Sequence, residues 1–238
     1  MNRLAQSAVL FLLGATLLHA GATDLYLRYV KAGLQPLLLA SGAVLVATAL
    51  ATAWYERGRP RGTGHAEAAH PEPRIAWLLL LPLLALILVA PPALGSYSAT
   101  RTGTALQEPP AYAALPPTGT LRLSVVDYAT RAAYDHGRTL TGRRIEITGF
   151  LALDADGTPY LARMALNCCA ADAQPVKIGL TGRIPPVLQP DTWLRVTGAY
   201  TPRQTRDPVN AGPIPWFEAT AVTPTTPPRD PYDESWNT

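Results

Sequence analysis

Leu37-Leu38-Leu39-Ala40-Ser41-Gly42-Ala43-Val44-Leu45-Val46-Ala47-Thr48-Ala49-Leu50-Ala51-Thr52-Ala53-Trp54-Tyr55 carries no charge from end to end. An α-helix needs roughly 18 to 20 such residues to cross a hydrocarbon core of about 30 Å, and only a backbone that satisfies its own hydrogen bonds can sit there. The stretch reads as a membrane-spanning helix. Leu4 to Ala22 and Ile75 to Leu94 read the same way, and the rest of the chain carries almost no such run. The expected architecture is a transmembrane region of three helices over residues 1–95, followed by a soluble domain.

Arginine sets the orientation. Arg57, Arg59, Arg61 and Arg74 crowd the loop 56–74 between the second and third stretches, and short loops rich in Lys and Arg stay on the cytoplasmic side. The N-terminus with Arg3 is then cytoplasmic, and everything after Leu94 is extracytoplasmic. Arg28 and Lys31, in the short outer loop, argue mildly the other way. The first stretch also has the features of a secretory signal, with a charged start, an apolar run and the small residues Ala20-Gly21-Ala22. Either identity exports the C-terminal domain. The third stretch is interrupted by Pro82 and closed by Pro91-Pro92, where a kink or a first-turn offset is expected.

Ala43, Ala47 and Ala51 recur every four residues, which puts three small side chains on one helical stripe where another helix can approach. They are the expected packing face, toward the first stretch, the third or a different protein. His19, near the end of the first stretch, is expected simply to meet water at the interface. The loop 56–74 has no apolar period and is expected to be flexible. Its His65 and His70 could share a metal ion with Glu67 or Glu72, against the plainer reading of two solvated histidines. Residues 96–120, rich in Ala, Pro, Thr and Gly, read as a tether.

The domain is expected over residues 121–228, with a polar tail at 229–238. Ser124 followed by Asp127, with Val125, Tyr128, Ala129 and Ala132 at helical spacing, signals a short capped helix ending near Gly137. Alternation then marks strands around Ile145 and Ile147, around Ala162, Met164 and Leu166 against Arg163, around Ile178 beside Lys177, around Leu194 and Val196, and around Phe217, Ala219 and Ala221. Asp154-Ala155-Asp156-Gly157 is turn chemistry, and Pro185-Pro186 and Pro190-Asp191 break the chain before the fourth strand. Five short strands with one wet face imply a small antiparallel barrel of the oligonucleotide-binding (OB-like) type. The net charge of +3 comes with no basic stripe and no interleaved aromatics, so nucleic acid is excluded as a partner.

Cys168 and Cys169 are the only cysteines of the chain, in Asn167-Cys168-Cys169-Ala170-Ala171-Asp172 at the end of the second strand. Neighbouring Cα atoms lie about 3.8 Å apart, whereas an unstrained disulfide wants roughly 4.4 to 6.8 Å. Three readings compete: small buried thiols packing at a strand end, a soft-metal site for Cu(I) or zinc aided by Asp172, and redox or intermolecular bridging. His136 is the only histidine of the domain, so a complete four-ligand zinc site is not expected.

Taken together, the three early stretches, Arg144-Ile145-Glu146-Ile147-Thr148-Gly149-Phe150, the segment Arg163 to Ala173, Trp193-Leu194-Arg195-Val196-Thr197-Gly198 and Asp230-Pro231-Tyr232 resemble the YcgQ-type family, described as a subunit of a two-component permease. The resemblance implies an integral membrane protein working beside a larger multi-spanning permease. Family members often carry a histidine-rich loop, of which this chain keeps only His65 and His70. Cys168, Cys169 and Asp172 map onto the family's characteristic motif, and no catalytic residue carries over. The expected function is that of an accessory subunit in the lipid bilayer whose exported barrel binds a ligand, a metal among the candidates, or docks on the permease. The alternatives are a thiol- or metal-dependent enzyme at the outer membrane face, for which only His136 or Arg163 could assist a cysteine, and a structural assembly factor.

Overall fold

The structure is a computed structural model that describes residues 3–58, 92–185 and 189–234, with a few positions between 81 and 89. The chain divides into two compact units. One holds residues 1–26 and 32–92, and the other residues 27–31 and 93–238.

In the first unit α1 (Arg3–Ala22) packs along α2 (Gln35–Gly58). The contact depends on glycine: a Cβ on Gly14 would lie 2.8 Å from the carbonyl oxygen of Gly42, so any larger residue would push the backbones apart. Hydroxyls are absorbed within the helices, with Thr16, Ser41, Thr48 and Thr52 each donating to the carbonyl four residues back. Gly42 and Ala49 form the buried stripe of α2, whereas Ala43, Ala47 and Ala51 are exposed. The expected packing face is therefore not the one that meets α1, because Gly42 permits a closer backbone approach than alanine can.

The expectation of three spans is corrected in number. Among the described residues one helix, Ala32–Gly58, is long and apolar enough to cross a membrane. The apolar part of α1, Gln6–Ala22, is shorter, and at 1.5 Å per residue it falls short of a core of about 30 Å. Most of the stretch Ile75 to Leu94 lies outside the described residues.

The second unit is built on five long strands, β2 (Ile145–Leu153), β3 (Pro159–Leu166), β4 (Gln174–Gly182), β5 (Trp193–Arg206) and β6 (Pro213–Pro224), with β1 (Leu121–Leu123) and β7 (Tyr232–Glu234) added at the edges. The sheet order is β1-β2-β5-β6-β4-β3-β7, and the further pairing of β2 with β3 closes the five long strands into a small barrel. All five were legible as alternating segments. The closure is not wholly antiparallel, because β4 and β6 run parallel, with Leu180 opposite Phe217. A parallel pair needs a long crossover, which here is the excursion through β5.

Inside the barrel Ile145, Ile147, Leu161, Ile178, Leu194, Val196 and Phe217 are fully buried. The helix α4 (Val125–Ala133) reaches every strand of the sheet, as a plug across one end of a barrel does. Its start is the foreseen cap, with Ser124 Oγ accepting from the Asp127 amide at 2.9 Å. Tyr128 locks the plug by donating its hydroxyl to the Trp216 carbonyl at 2.6 Å and by meeting the Phe217 ring edge-on at 5.1 Å. At the end of the helix segment Gly137 has φ +66 and lies under the Tyr200 ring, a place with neither the backbone angle nor the room for a side chain.

The single wet face expected of the strands is also corrected. A second apolar layer of Phe150, Ala152, Ala162, Met164, Leu166 and Ile214 covers the outside of the wall, and Arg163 and Lys177 are buried with it. The reason is that residues 96–120, expected as a tether, lie on the barrel instead. They open with α3 (Ser96–Arg101), whose Ala99 is completely buried, and Ser96 is held through its amide and hydroxyl by the two carboxylate oxygens of Asp191 at 2.6 and 2.8 Å. Further along, the Thr104 amide donates to Asp207 and the Ala105 amide to the Pro175 carbonyl. Within the expected polar tail, β7 pairs parallel with β3, setting Tyr232 opposite Met164.

Candidate functional site

Strand β3 ends at Leu166, and the chain turns through Asn167-Cys168-Cys169 into a single 3-10 turn at Ala170–Asp172 before β4. Asp172 folds back over this turn. One of its oxygens accepts the Asn167 amide at 3.0 Å, and the other accepts the amides of Cys168 and Cys169 at 2.8 and 3.3 Å. Such a carboxylate organises the turn much as a capping residue organises a helix start.

Both thiols are free; Cys168 is exposed and Cys169 half-buried. Neither is a core residue, which removes the reading of small thiols packed at a strand end. The two sulfurs and a carboxylate oxygen of Asp172 lie within 4.8 Å of one another, a donor set that a soft metal ion favours. Among the described residues no other group of three or more His, Cys, Asp or Glu side chains comes together in this way. His136 is exposed with φ +50 in the loop after α4, outside the group. His65 and His70 lie outside the described residues.

The electrostatics of the group are specific. The Cys168 thiol is pushed up to about 11, first by its hydrogen bond to the Asp172 carboxylate and then by the one to Cys169, so the free thiol keeps its proton at neutral pH. Burial works against ionisation of Asp172, but the Cys168 thiol and the three backbone amides outweigh it and hold the carboxyl below its ordinary range. At neutral pH the turn therefore presents an ionised carboxylate beside a protonated thiol. A metal ion would have to displace the thiol proton to bind sulfur.

No motif or period in the sequence points to the segment that borders this turn. Residues 27–31, between the two N-terminal helices, belong to the barrel unit. The Lys31 amide donates to the Cys168 carbonyl at 3.0 Å, the Ala170 amide donates to the Tyr29 carbonyl at 2.7 Å, and Val30 sits opposite Cys169 as an antiparallel bridge. Tyr232 holds the same segment from β7, its hydroxyl donating to the Arg28 carbonyl at 3.0 Å while accepting the Leu94 amide at 3.1 Å. Asp230 caps the Tyr232 amide, and Arg163 takes the Asp230 and Tyr232 carbonyls. Asp230-Pro231-Tyr232 is thus a clasp joining the connector (residues 27–31), the chain at Leu94 and the barrel wall.

The barrel face between the β2–β3 and β5–β6 turns is filled. A cavity of about 10 Å³ lies there, between Thr100 of α3 and Asp154, Tyr160, Lys177, Pro208 and Ile214, room for one water at most. Beside it Lys177 is paired with Asp207 at 2.8 Å, both buried.

Fold and site together define a small five-stranded barrel domain, joined to apolar helices and carrying one solvent-facing thiol pair. Residues 118–233, which span this barrel from just before β1 into β7, match the DUF1980 C-terminal domain. No curated protein and no solved structure matches the chain.

Proposed function

We propose that this protein is an integral membrane accessory subunit of a two-component permease, and that its exported barrel holds a soft metal ion, Cu(I) or zinc, through Cys168, Cys169 and Asp172. The observation that carries the metal reading is the convergence of those three donors within 4.8 Å on an exposed turn. Three protein ligands leave a position open to a donor from a partner or from water, as suits an ion that is handed on.

Other observations support the rest of the reading. The strand order, with its one parallel closure, is that of an OB-type barrel, which takes its ligands between the β2–β3 and β5–β6 turns. Here that face is covered by the chain's own α3, which favours a thiol-turn site over an OB-type groove. The cytoplasmic side of loop 56–74 rests on its arginines, Arg57, Arg59, Arg61 and Arg74. The exposed stripe Ala43, Ala47 and Ala51, turned away from α1, is available to a permease helix. Against a thiol enzyme stands the Cys168 thiol itself, which is raised rather than lowered and has no histidine in its group.

The test is elemental analysis of the full chain purified in mild detergent under reducing conditions. Wild type should carry about one Cu(I) or zinc per chain and Cys168→Ser with Cys169→Ser none, and the two metal-free forms should unfold at the same temperature, since thiolate ligation is lost but no core contact is. A wild type free of metal after incubation with either ion overturns the metal site. For the partner, Ala47→Phe should abolish co-purification with a larger membrane protein without affecting insertion; if cross-linking in cells captures nothing larger with wild type, the subunit reading fails.

A further inference from the structure

We propose that the open edge of β1 is a docking strip for an extended segment of another protein, one that sets an acidic residue opposite Arg122 with an apolar residue on either side of it. The proposal stands apart from the metal and permease readings, and it holds whether or not the thiol turn takes an ion.

β1 ends the sheet order and has β2 as its strand neighbour, in parallel register with Leu121 opposite Ile145 and Arg122 opposite Glu146. The Leu121 amide donates to the Arg144 carbonyl at 2.9 Å. In a parallel pair successive residues bond to opposite sides, so the amide and carbonyl of Arg122 face the outer edge. Unpaired groups on such an edge are a template for an added strand.

Outside this edge lies an open groove of about 540 Å³. Its far wall is Ala113 to Pro116, which line the groove without joining the sheet. The wall is fixed from behind. Arg131, almost wholly buried, donates to the Ala113 carbonyl at 2.6 Å, and Arg143 donates to the Pro116 carbonyl at 2.8 Å. A groove of this size that is shaped before its ligand arrives spares the cost of ordering the wall on binding.

The side chains choose the occupant. Leu121 and Leu123 are buried, whereas the Arg122 side chain is 85% exposed. Arg122 and Arg195 share one carboxylate, that of Glu146, at 3.5 and 3.9 Å, so this face of the sheet carries a cation in excess. Asp127 also lines the groove, but its charge is matched by Arg131 at 2.7 Å. An acidic residue opposite Arg122 continues the alternation of sign that Arg122 and Glu146 begin, and opposite charges across a strand pair attract where like charges repel. The period of two then turns the neighbours of that acid inward, toward the apolar wall, whose Leu115 packs against the core. A second copy of this chain does not suit, because antiparallel pairing of two β1 edges about Arg122 sets the two arginines against each other.

The probe is a fluorescent peptide of about nine residues, long enough for one strand, with glutamate between two valines at its centre and polar ends. Its twin carries lysine in place of the glutamate. The full chain in mild detergent should bind the glutamate peptide saturably and the lysine peptide at least about fivefold more weakly, and Arg122→Glu should reverse the preference. Arg122→Pro removes the outward amide without taking a bond from the sheet, and it should abolish binding of both peptides. Amide exchange at Arg122 in wild type should slow at least about fivefold under saturating glutamate peptide. If Arg122→Pro does not fold, the charge reversal and the exchange at Arg122 decide without it. A wild type that binds neither peptide, a preference that is absent or that survives unchanged in Arg122→Glu, or exchange at Arg122 unmoved by bound peptide each overturns the docking strip, and none of these results bears on the metal site.

Discussion

The inside and the outside of the barrel wall are both dry, and they are made dry in different ways. Inside, aliphatic and aromatic side chains from the five long strands and α4 close on one another. Outside, a thinner apolar layer is roofed by segments from far along the chain, and these are fixed by polar pairs: Asp191 to Ser96, Lys177 to Asp207, and Arg163 to Asp233 at 3.1 Å. An interior of this sort follows from local alternation. A roof of this sort depends on a few long-range bonds, and each bond holds more than one segment.

The sharpest way to break the roof is Asp207→Ala. The carboxylate accepts from Lys177, from the Thr104 amide and from the Val209 amide, so its loss strands a buried ammonium, one buried amide and one half-buried amide together. Removing one partner of a buried pair costs about 3 to 5 kcal/mol. Denaturant unfolding of the full chain should show a loss in that range, and proteolysis should cut first within residues 96–106. A loss below about 1 kcal/mol, the value of an exposed pair, would mean that the roof is not held there.

Ile147→Ala probes the interior. The side chain is fully buried and faces Val196 across the β2–β5 pair. A large-to-small change in a closed core costs about 2 to 5 kcal/mol. The comparison predicts a different symptom from Asp207→Ala: global unfolding at lower denaturant, with residues 96–106 no more sensitive to protease than the rest.

Tyr232→Phe tests the clasp and should be milder. It deletes one buried hydroxyl that donates to the Arg28 carbonyl and accepts the Leu94 amide, leaving the ring in place. Two partners are left unsatisfied, one of them near solvent, and the expected cost is about 1 to 2 kcal/mol in denaturant unfolding. Amide exchange at Leu94 should rise while that of β2 stays unchanged.

The same contrast explains what could be read in the sequence. Ile145 and Ile147, Ile178, and Leu194 and Val196 announce their strands because a strand with a buried face must alternate, and that rule needs no knowledge of what lies elsewhere. The same rule puts Arg163 and Lys177 on the wet side of their strands, yet both are buried, because α3 and β7 cover them. No local pattern foretells that Ser96 will find Asp191 or that Tyr232 will find Leu94. At the site, Cys168, Cys169 and Asp172 could be singled out because their spacing within one turn is itself local. Their exposure, the grip of Asp172 on three amides and the seat of Tyr29 to Lys31 could not, since each depends on how the turn folds against other parts of the barrel unit. The alanine stripe shows the reverse limit: its period is local and legible, but which neighbour it meets is not, and glycine at positions 14 and 42 gives α1 a closer contact on another side of α2.

The smallest predicted effect lies at a place where sequence and structure agree down to a single hydrogen bond. Ser124 was legible as a helix cap from its spacing to Asp127, and its Oγ does accept the Asp127 amide at 2.9 Å. Ser124→Ala removes that acceptor at an exposed position where water can replace it, so the loss should be about 1 kcal/mol or less. Ser124→Asp should restore most of it, because a carboxylate caps as well and favours the positive end of the helix dipole. A much larger loss in Ser124→Ala, or no rescue by Ser124→Asp, would show that the start of α4 is fixed by something other than its cap. The nearest candidate is Asp233 of β7, which accepts the Val126 amide at 3.4 Å. The test then moves to Asp233→Asn, which keeps an acceptor for Val126 while removing the partner of Arg163. A loss there larger than that of Ser124→Ala would mean that the plug, too, is fixed from outside the wall.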